Sequence, residues 1–278
     1  MAERKKRRVL PGFGFSLGVS VTFVSLILLL PMSALVRELL HLTWARYWEI
    51  ITNPQTLAAL RVTLLSAFWA SVFNCAAGVL LAWVLARYRF PGRGILDALI
   101  DLPFALPTAV AGLTLSALFA EDGWYGVWLS LFGIKVSYTW LGIVVAMAFT
   151  SIPFVVRTVE PVLEDLGKST EEAAETLGAT KGQIFRRVIL PEILPSVAAG
   201  TTLAFCRSLG EFGAVIFIAG NIAYETEVLS LMVFMRLQEF DYPAASAIAS
   251  LVLALSLALF LFANFLQKRL ARRLGAPA

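Results

Sequence analysis

Two ionisable side chains, Arg207 and Glu211, stand four apart inside an otherwise apolar run, FCRSLGEFGAVIFIAG. That spacing predicts one helical face, and charge inside an apolar span marks a functional candidate. An arginine there suits an anion with paired oxygen acceptors, because its planar fork donates two parallel hydrogen bonds. Glu211 then acts as a removable counter-ion. A structural ion pair that locks two helices together accounts for the same residues, and both readings stand at this point. Asp97 and Asp101 are also four apart, close to arginines. Carboxylates repel an anion, so this pair suits a gate or a loop anchor rather than substrate contact.

Little else in the chain has the spacing for chemistry. The single histidine, His41, and two distant cysteines, Cys75 and Cys206, cannot build a zinc site of the usual type, and no disulfide is expected. No metal site follows. Gly167-Lys168-Ser169 looks like the end of a phosphate-binding loop. That loop needs glycine where Val162 stands, and the acidic VLEDL before the lysine opposes phosphate. There is no H-E-x-x-H, no histidine cluster and no G-x-S-x-G, so no catalytic residue is expected.

The elements that must position these groups are membrane helices. The chain has 278 residues, 59% hydrophobic and 15% charged, with a mean hydropathy of +0.79. A soluble domain carries about 25% charged residues. Apolar runs of about 20 residues cross the hydrocarbon layer as helix, and strand-like alternation is missing, which excludes a barrel. Six windows emerge: Phe13–Val36, Leu57–Ala86, Ile95–Phe119, Val136–Val156, Ser196–Ala219 and Pro243–Leu266. The first begins after a basic stretch like a signal peptide, but is too long and lacks a cleavage signal, so it reads as an uncleaved span. The expected architecture is an all-α membrane protein with six transmembrane helices in a single transmembrane domain, 1–278. Gly14 and Gly18 make one G-x-x-x-G, a weak pairing signal in so glycine-rich a chain.

The net charge of +4 and pI near 9.2 do not indicate nucleic acid, because the basic residues sit in short clusters beside apolar runs. Seventeen of the 23 lysines and arginines fall on alternate segments: the N-terminus, the 87–93 turn, the 157–187 stretch and the C-terminus. The positive-inside rule then places both termini in the cytoplasm, which an even number of spans requires. The other face is acidic, with Glu38, Glu49, Glu121, Asp122, Glu225, Glu227, Glu239 and Asp241, and carries tryptophans suited to an interfacial belt. There, Glu225–Phe240, with Leu229, Met232, Val233 and Leu237, reads as an outer helix. It either meets a soluble partner or lies on lipid.

The loop from about 158 to 195, TVEPVLEDLGKSTEEAAETLGATKGQIFRRVILPEILP, is the least membrane-like segment. Ser169 with Glu172, and Thr180 with Gln183, form capping boxes. Gly167 and Gly178 stand where helix-closing glycines belong, and Pro191 ends the last piece. Three short helices are predicted. The middle one offers only Ala173, Ala174 and Leu177 as apolar surface, which fits a solvated helix or one that docks into a partner's groove.

Glu172-Ala173-Ala174, then Gly178, then Val188-x-Leu190-Pro191 resembles the EAA loop of ABC-importer permeases, with Val188 where the family pattern has isoleucine. The resemblance implies that Glu172, Ala173, Ala174, Leu177, Gly178, Leu190 and Pro191 serve coupling to separate ABC ATPase subunits. Those subunits would use the ATP and Mg; this chain binds no cofactor. RFPGRGILDALIDLPFALPTAVAGLTLSALF and FCRSLGEFGAVIFIAGN look like the oxyanion branch of that family. NIAYETEVLSLMVFMRLQEFDYPAASAIAS is close to the T-type permease subunits of bacterial sulfate/thiosulfate importers. That likeness implies a multi-pass protein of the bacterial inner membrane, in contact with lipid. It further implies a second, different permease subunit and a periplasmic sulfate-binding protein. It places Arg207, Glu211, Asp101 and Thr108 along the translocation path or gate. A molybdate/tungstate permease is the alternative within the family. An ion-coupled secondary transporter is the alternative outside it, though no inverted repeat is visible.

Overall fold

The computed structural model describes residues 13–167 and 169–274, without the side chains of 266–274. Among these residues every regular element is helical. Five helices are long and apolar enough to cross a bilayer, or six if one bent pair is a single crossing.

The first helix, α1 (Phe13–Leu40), buries none of its apolar stretch within the chain. A short α2 (Trp44–Ile51) leads to α3 (Pro54–Arg87), which starts with Pro54 in its first turn and Asn53 Oδ1 accepting the Gln55 N–H at 2.9 Å. These are the residue types that satisfy and pre-set a helix start.

The third window is not one helix. It divides into α4 (Arg93–Ala105) and α5 (Thr108–Phe119), which meet at 115°. Pro107 has no N–H to donate and holds Leu106 in an extended conformation, φ −81° and ψ 134°.

After a single turn, α6 (Gly126–Ser130), the fourth crossing α7 (Trp140–Asp165) continues well past Val156. The first of the three short helices expected in the 158–195 loop is therefore the end of α7. Val159 and Leu163 are fully buried and keep this extension on the core in spite of Pro161.

Only the middle helix, α8 (Ser169–Thr176), stands alone. Its first described residue is Ser169, and the expected Ser169–Glu172 box borders Lys168, which lies outside the described residues. The third expected piece runs on as α9 (Lys181–Leu209), and Pro191 does not end it. A π turn over Phe185–Ile189 precedes this proline, with the Leu190 N–H reaching back five residues to the Phe185 carbonyl. The wider turn shifts the carbonyl register where proline would clash. In α1 the same device recurs: a π turn over Ser25–Leu29, then Leu30 and Pro31.

The fifth window breaks too. Helix α9 ends at Leu209, Gly210 follows, and α10 (Gly213–Ile218) begins after a bend. Arg207 and Glu211 thus do not share one helix, contrary to the spacing argument. The chain closes with α11 (Leu229–Gln238) and α12 (Tyr242–Leu274). Leu229 and Met232 of α11 are each 1% exposed, packed with Ile50, Ala59 and Ile248, so that face lies on protein and not on lipid.

At the centre, α3, α7 and α9 cross in close contact. A β-carbon at Gly78 of α3 would lie 2.8 Å from Val155, and one at Gly200 of α9 would lie 2.9 Å from the Val155 Cα. Two glycines on facing helices let the backbones grip one valine of α7.

Candidate coupling and translocation sites

Helix α8 is closed by Gly178 at φ +83°. The Ala179 N–H reaches the Ala174 carbonyl at 3.1 Å and the Gly178 N–H the Glu175 carbonyl at 2.9 Å, the paired bonds of a Schellman close. The second expected capping box forms at Thr180, whose N–H donates to Gln183 Oε1 at 2.8 Å. Ala174 packs inward beside the cluster of Leu85, Val159, Leu163 and Ile184. Ala173 and Glu172 are exposed, and Leu177 is 88% exposed. An exposed leucine and alanine one turn apart on a polar helix form a small apolar contact face.

The sequence pattern does not reveal what holds α8 in place. Arg87, at the end of α3, lies 2.6 Å from Glu171 and stacks over Trp83 at 5.7 Å from the ring centre. Trp83 in turn meets Phe185 edge-on at 5.8 Å. Together with Glu172, Glu175 and Lys181 these side chains line a cavity of about 480 Å³ behind α8. Arg87 counts in the sequence only as one more basic loop residue. Leu190 and Pro191 lie past the π turn, within α9.

The two helix breaks meet. A β-carbon at Gly213 would fall 2.0 Å from Thr108 Oγ1, and one at Gly112 would fall 2.4 Å from the Ala214 carbonyl oxygen. The structure therefore brings Thr108, at the start of α5, next to the Glu211–Gly213 bend.

Glu211 is 1% exposed. Its Oε1 accepts the Ala214 N–H at 3.0 Å, its Oε2 lies 2.8 Å from Arg207 Nη1, and its carbonyl accepts from Ser230 Oγ at 2.6 Å. The carboxylate thus holds the start of α10 as well as the ion pair. Arg207 is less enclosed, with 34% of its side chain exposed, and presents donors that Glu211 does not occupy. Beside it Ser208 Oγ is 3.1 Å from Ser151 Oγ, which accepts from Asn74 Nδ2 at 2.8 Å. This polar chain joins α9, α7 and α3 and carries no charge.

Asp101 pairs with a different arginine. It receives two hydrogen bonds from Arg157 of α7, from Nε at 2.8 Å and Nη2 at 2.7 Å. Arg157 Nη1 is 2.7 Å from both Asp97 Oδ1 and Glu160 Oε2. Its Nη2 also donates to the Asp97 carbonyl at 3.2 Å. Arg157 was singled out by no pattern in the sequence. Two aspartates four apart on an apolar helix were the available signal, since they require a cation on a neighbouring helix.

At the opposite end several acids are neutralised. Glu49 pairs with Arg46 at 2.8 Å, Glu239 with Arg236 at 2.9 Å, and Glu121 with Lys135. The hydrogen bond from Lys135 holds the Glu121 carboxyl below the usual carboxylate range. Cys75 and Cys206 are unbridged and line one apolar cleft between α3, α9 and α12. Among the described residues no group of three or more histidine, cysteine or acidic side chains is placed to hold a metal.

The fold matches chains of solved bacterial ABC transporters. One is a bacterial ABC transporter involved in the import of the acidic polysaccharide alginate, with TM-score 0.77 at 20% identity, covering 92% of this chain and 95% of that one. A second is a bacterial alginate ABC transporter in complex with a periplasmic protein bound to an alginate pentasaccharide, with TM-score 0.76 at 22% identity over 92% and 94%. Residues 76–276 match the family described as binding-protein-dependent transport system inner membrane component, and the chain belongs to it. It is 70% identical over 267 residues, 96% of each chain, to the sulfate transport system permease protein CysT of Escherichia coli (strain K12). To the protein of the same name from Salmonella typhimurium it is 68% identical over 273 residues, 98% of this chain and 99% of that one.

Proposed function

We propose that this chain is a permease subunit of an ATP-driven importer for sulfate and thiosulfate. The observation that carries the reading is 70% identity, over 96% of both chains, to a sulfate transport permease. In this reading the chain crosses the bacterial inner membrane six times with both termini in the cytoplasm. It pairs with a second, different permease subunit, receives its anion from a periplasmic binding protein, and leaves ATP and Mg to separate ATPase subunits. The assembled transporter is the translocase; this subunit supplies the path.

The apolar face of Ala173 and Leu177, ending at the Gly178 close, is the part that docks on the ATPase. Its anchorage by Arg87 and Glu171 supports this, because a docked helix transmits force only if it is fixed at its own base. The path runs past Arg207 and Thr108, where the two breaks touch. Arg207 offers a dianion a forked donor, and buried Glu211 keeps that fork oriented and its charge balanced. Asp101 belongs to the gate side, where it binds Arg157 and no anion.

The test is uptake of radiolabelled sulfate by a bacterial host deleted for its own sulfate permeases and supplied with this chain, its partner permease, ATPase and binding protein. Uptake is expected, with excess unlabelled thiosulfate suppressing it and equal molybdate leaving it largely unchanged. Preferential suppression by molybdate or tungstate would reassign the cargo.

A further inference from the structure

The third crossing is split between two neighbours. Its outer-numbered half, α5, is locked to α10 by Gly112 and Gly213, where no β-carbon fits. Its first half, α4, is fastened to α7 by Arg157. Nε and Nη2 of that one guanidinium bind Asp101, Nη1 reaches Asp97 and Glu160, and Nη2 takes the Asp97 carbonyl. Arg93 adds a weaker tie to Glu164 at 3.3 Å. Between the two halves lies only the extended Leu106 and Pro107.

Helix α7 leads directly from Arg157 to the EAA segment. It continues without interruption to Asp165, turns one corner at Gly167, and α8 begins at Ser169. Two residues before Arg157, Val155 is held in close contact by Gly78 of α3 and Gly200 of α9. A helix clamped at Val155 and pushed at its α8 end pivots there, and Arg157 lies on the moving side of the clamp.

We propose that Arg157 is a positioning residue for transport: it makes α4 follow α7 when α8 is displaced, so that the movement is delivered to the breaks at Leu106–Pro107 and Gly210–Phe212. This rests on the importer reading above. Charge arithmetic favours a dedicated tie over incidental pairing. One guanidinium faces three carboxylates, so without it Asp97, Asp101 and Glu160 repel one another and drive α4 off α7.

The experiment uses the whole transporter in vesicles, with binding protein and sulfate supplied, and reads sulfate moved per ATP hydrolysed. Arg157→Gln is expected to hydrolyse ATP at half the wild-type rate or more while sulfate per ATP falls at least tenfold. A triple variant, Arg157→Gln with Asp97→Asn and Asp101→Asn, removes most of the repulsion without restoring the tie. It should assemble normally and stay equally uncoupled. Should the single variant fail to assemble, the triple variant carries the test. Recovery of wild-type sulfate per ATP in the triple variant, or its retention in Arg157→Gln, overturns the role, because Arg157 then only neutralises the acids. Absence of ATP-driven sulfate uptake in the wild-type transporter sinks the importer reading itself. Coupled transport by the variants in a working wild-type background sinks the Arg157 role alone.

Discussion

At the scale of single residues, the Arg207–Glu211 pair shows why spacing and structure must be read together. Four-residue spacing anticipates the contact, and the ion pair forms at 2.8 Å, but across a helix end and not along one face. What spacing could not supply is the second duty of Glu211, accepting the Ala214 N–H. That duty changes how the pair must be tested. Exchanging the two charges puts a guanidinium where an acceptor is required, so Arg207→Glu with Glu211→Arg is expected to fail whether or not Arg207 meets the anion. Arg207→Lys separates the readings. Lysine keeps the charge opposite Glu211 but loses the planar fork. If Arg207 contacts the dianion, sulfate uptake should drop by about tenfold, equivalent to about 1.4 kcal/mol, with subunits co-purifying at wild-type levels. Unchanged uptake would leave Arg207 a purely structural partner. Glu211→Gln retains an oxygen for the Ala214 N–H, so it should assemble and show altered rate or ATP hydrolysis without transport.

At the scale of elements, caps and glycines were legible, and helix ends set by tertiary packing were not. The Gly178 close and the Thr180 box could be read because each depends on residues within one turn. Prolines misled in both directions. Pro191 and Pro161 lie within helices because a π turn or buried neighbours accommodate them, whereas Pro107 breaks a span. No local pattern distinguishes those cases. Two expectations follow. Gly178→Asp meets no atom within 4 Å inside the chain, so its cost there is confined to the left-handed backbone. That cost is about 1–2 kcal/mol or less for aspartate. The permease should insert at normal levels but lose co-purifying ATPase and uptake; full ATPase recovery with normal uptake would refute docking through this face. Gly112→Ala has no such freedom, since its β-carbon meets the Ala214 backbone oxygen. It should destabilise the purified complex by about 1–3 kcal/mol, while Gly18→Ala, mid-helix with open space around it, should hold or slightly raise the melting temperature.

For the whole molecule, composition and charge say more about the bilayer than the helix bundle does by itself. The class of protein was readable because an excess of apolar residues admits few solutions, and the EAA pattern pointed to the family that residues 76–276 match. The broken third and fifth crossings were not readable, since each arises from contacts between the segments and not within them. The orientation is written in the distribution of lysine and arginine along the chain. It is also the point on which every functional assignment depends, because α8 can meet an ATPase only if it faces the cytoplasm. The basic clusters near Arg87–Arg93 and Lys181–Arg187 flank the same bundle end as α8, and Glu49, Glu121 and Glu239 lie at the other. Lysine and arginine near span ends are retained on the cytoplasmic side during insertion. Reporter fusions at Asn53, Asp122 and Glu225 should therefore read periplasmic, and those at Gly92 and Lys181 cytoplasmic. The bent α4–α5 pair makes the Gly92 and Asp122 fusions the decisive ones. If α4 and α5 together cross the membrane once, the two must report opposite sides; if the pair only dips into the bilayer and returns, both report the same side. In that event five crossings remain, the termini fall on opposite faces, and with the N-terminus inside, α8 lies in the periplasm, where no ATPase can meet it.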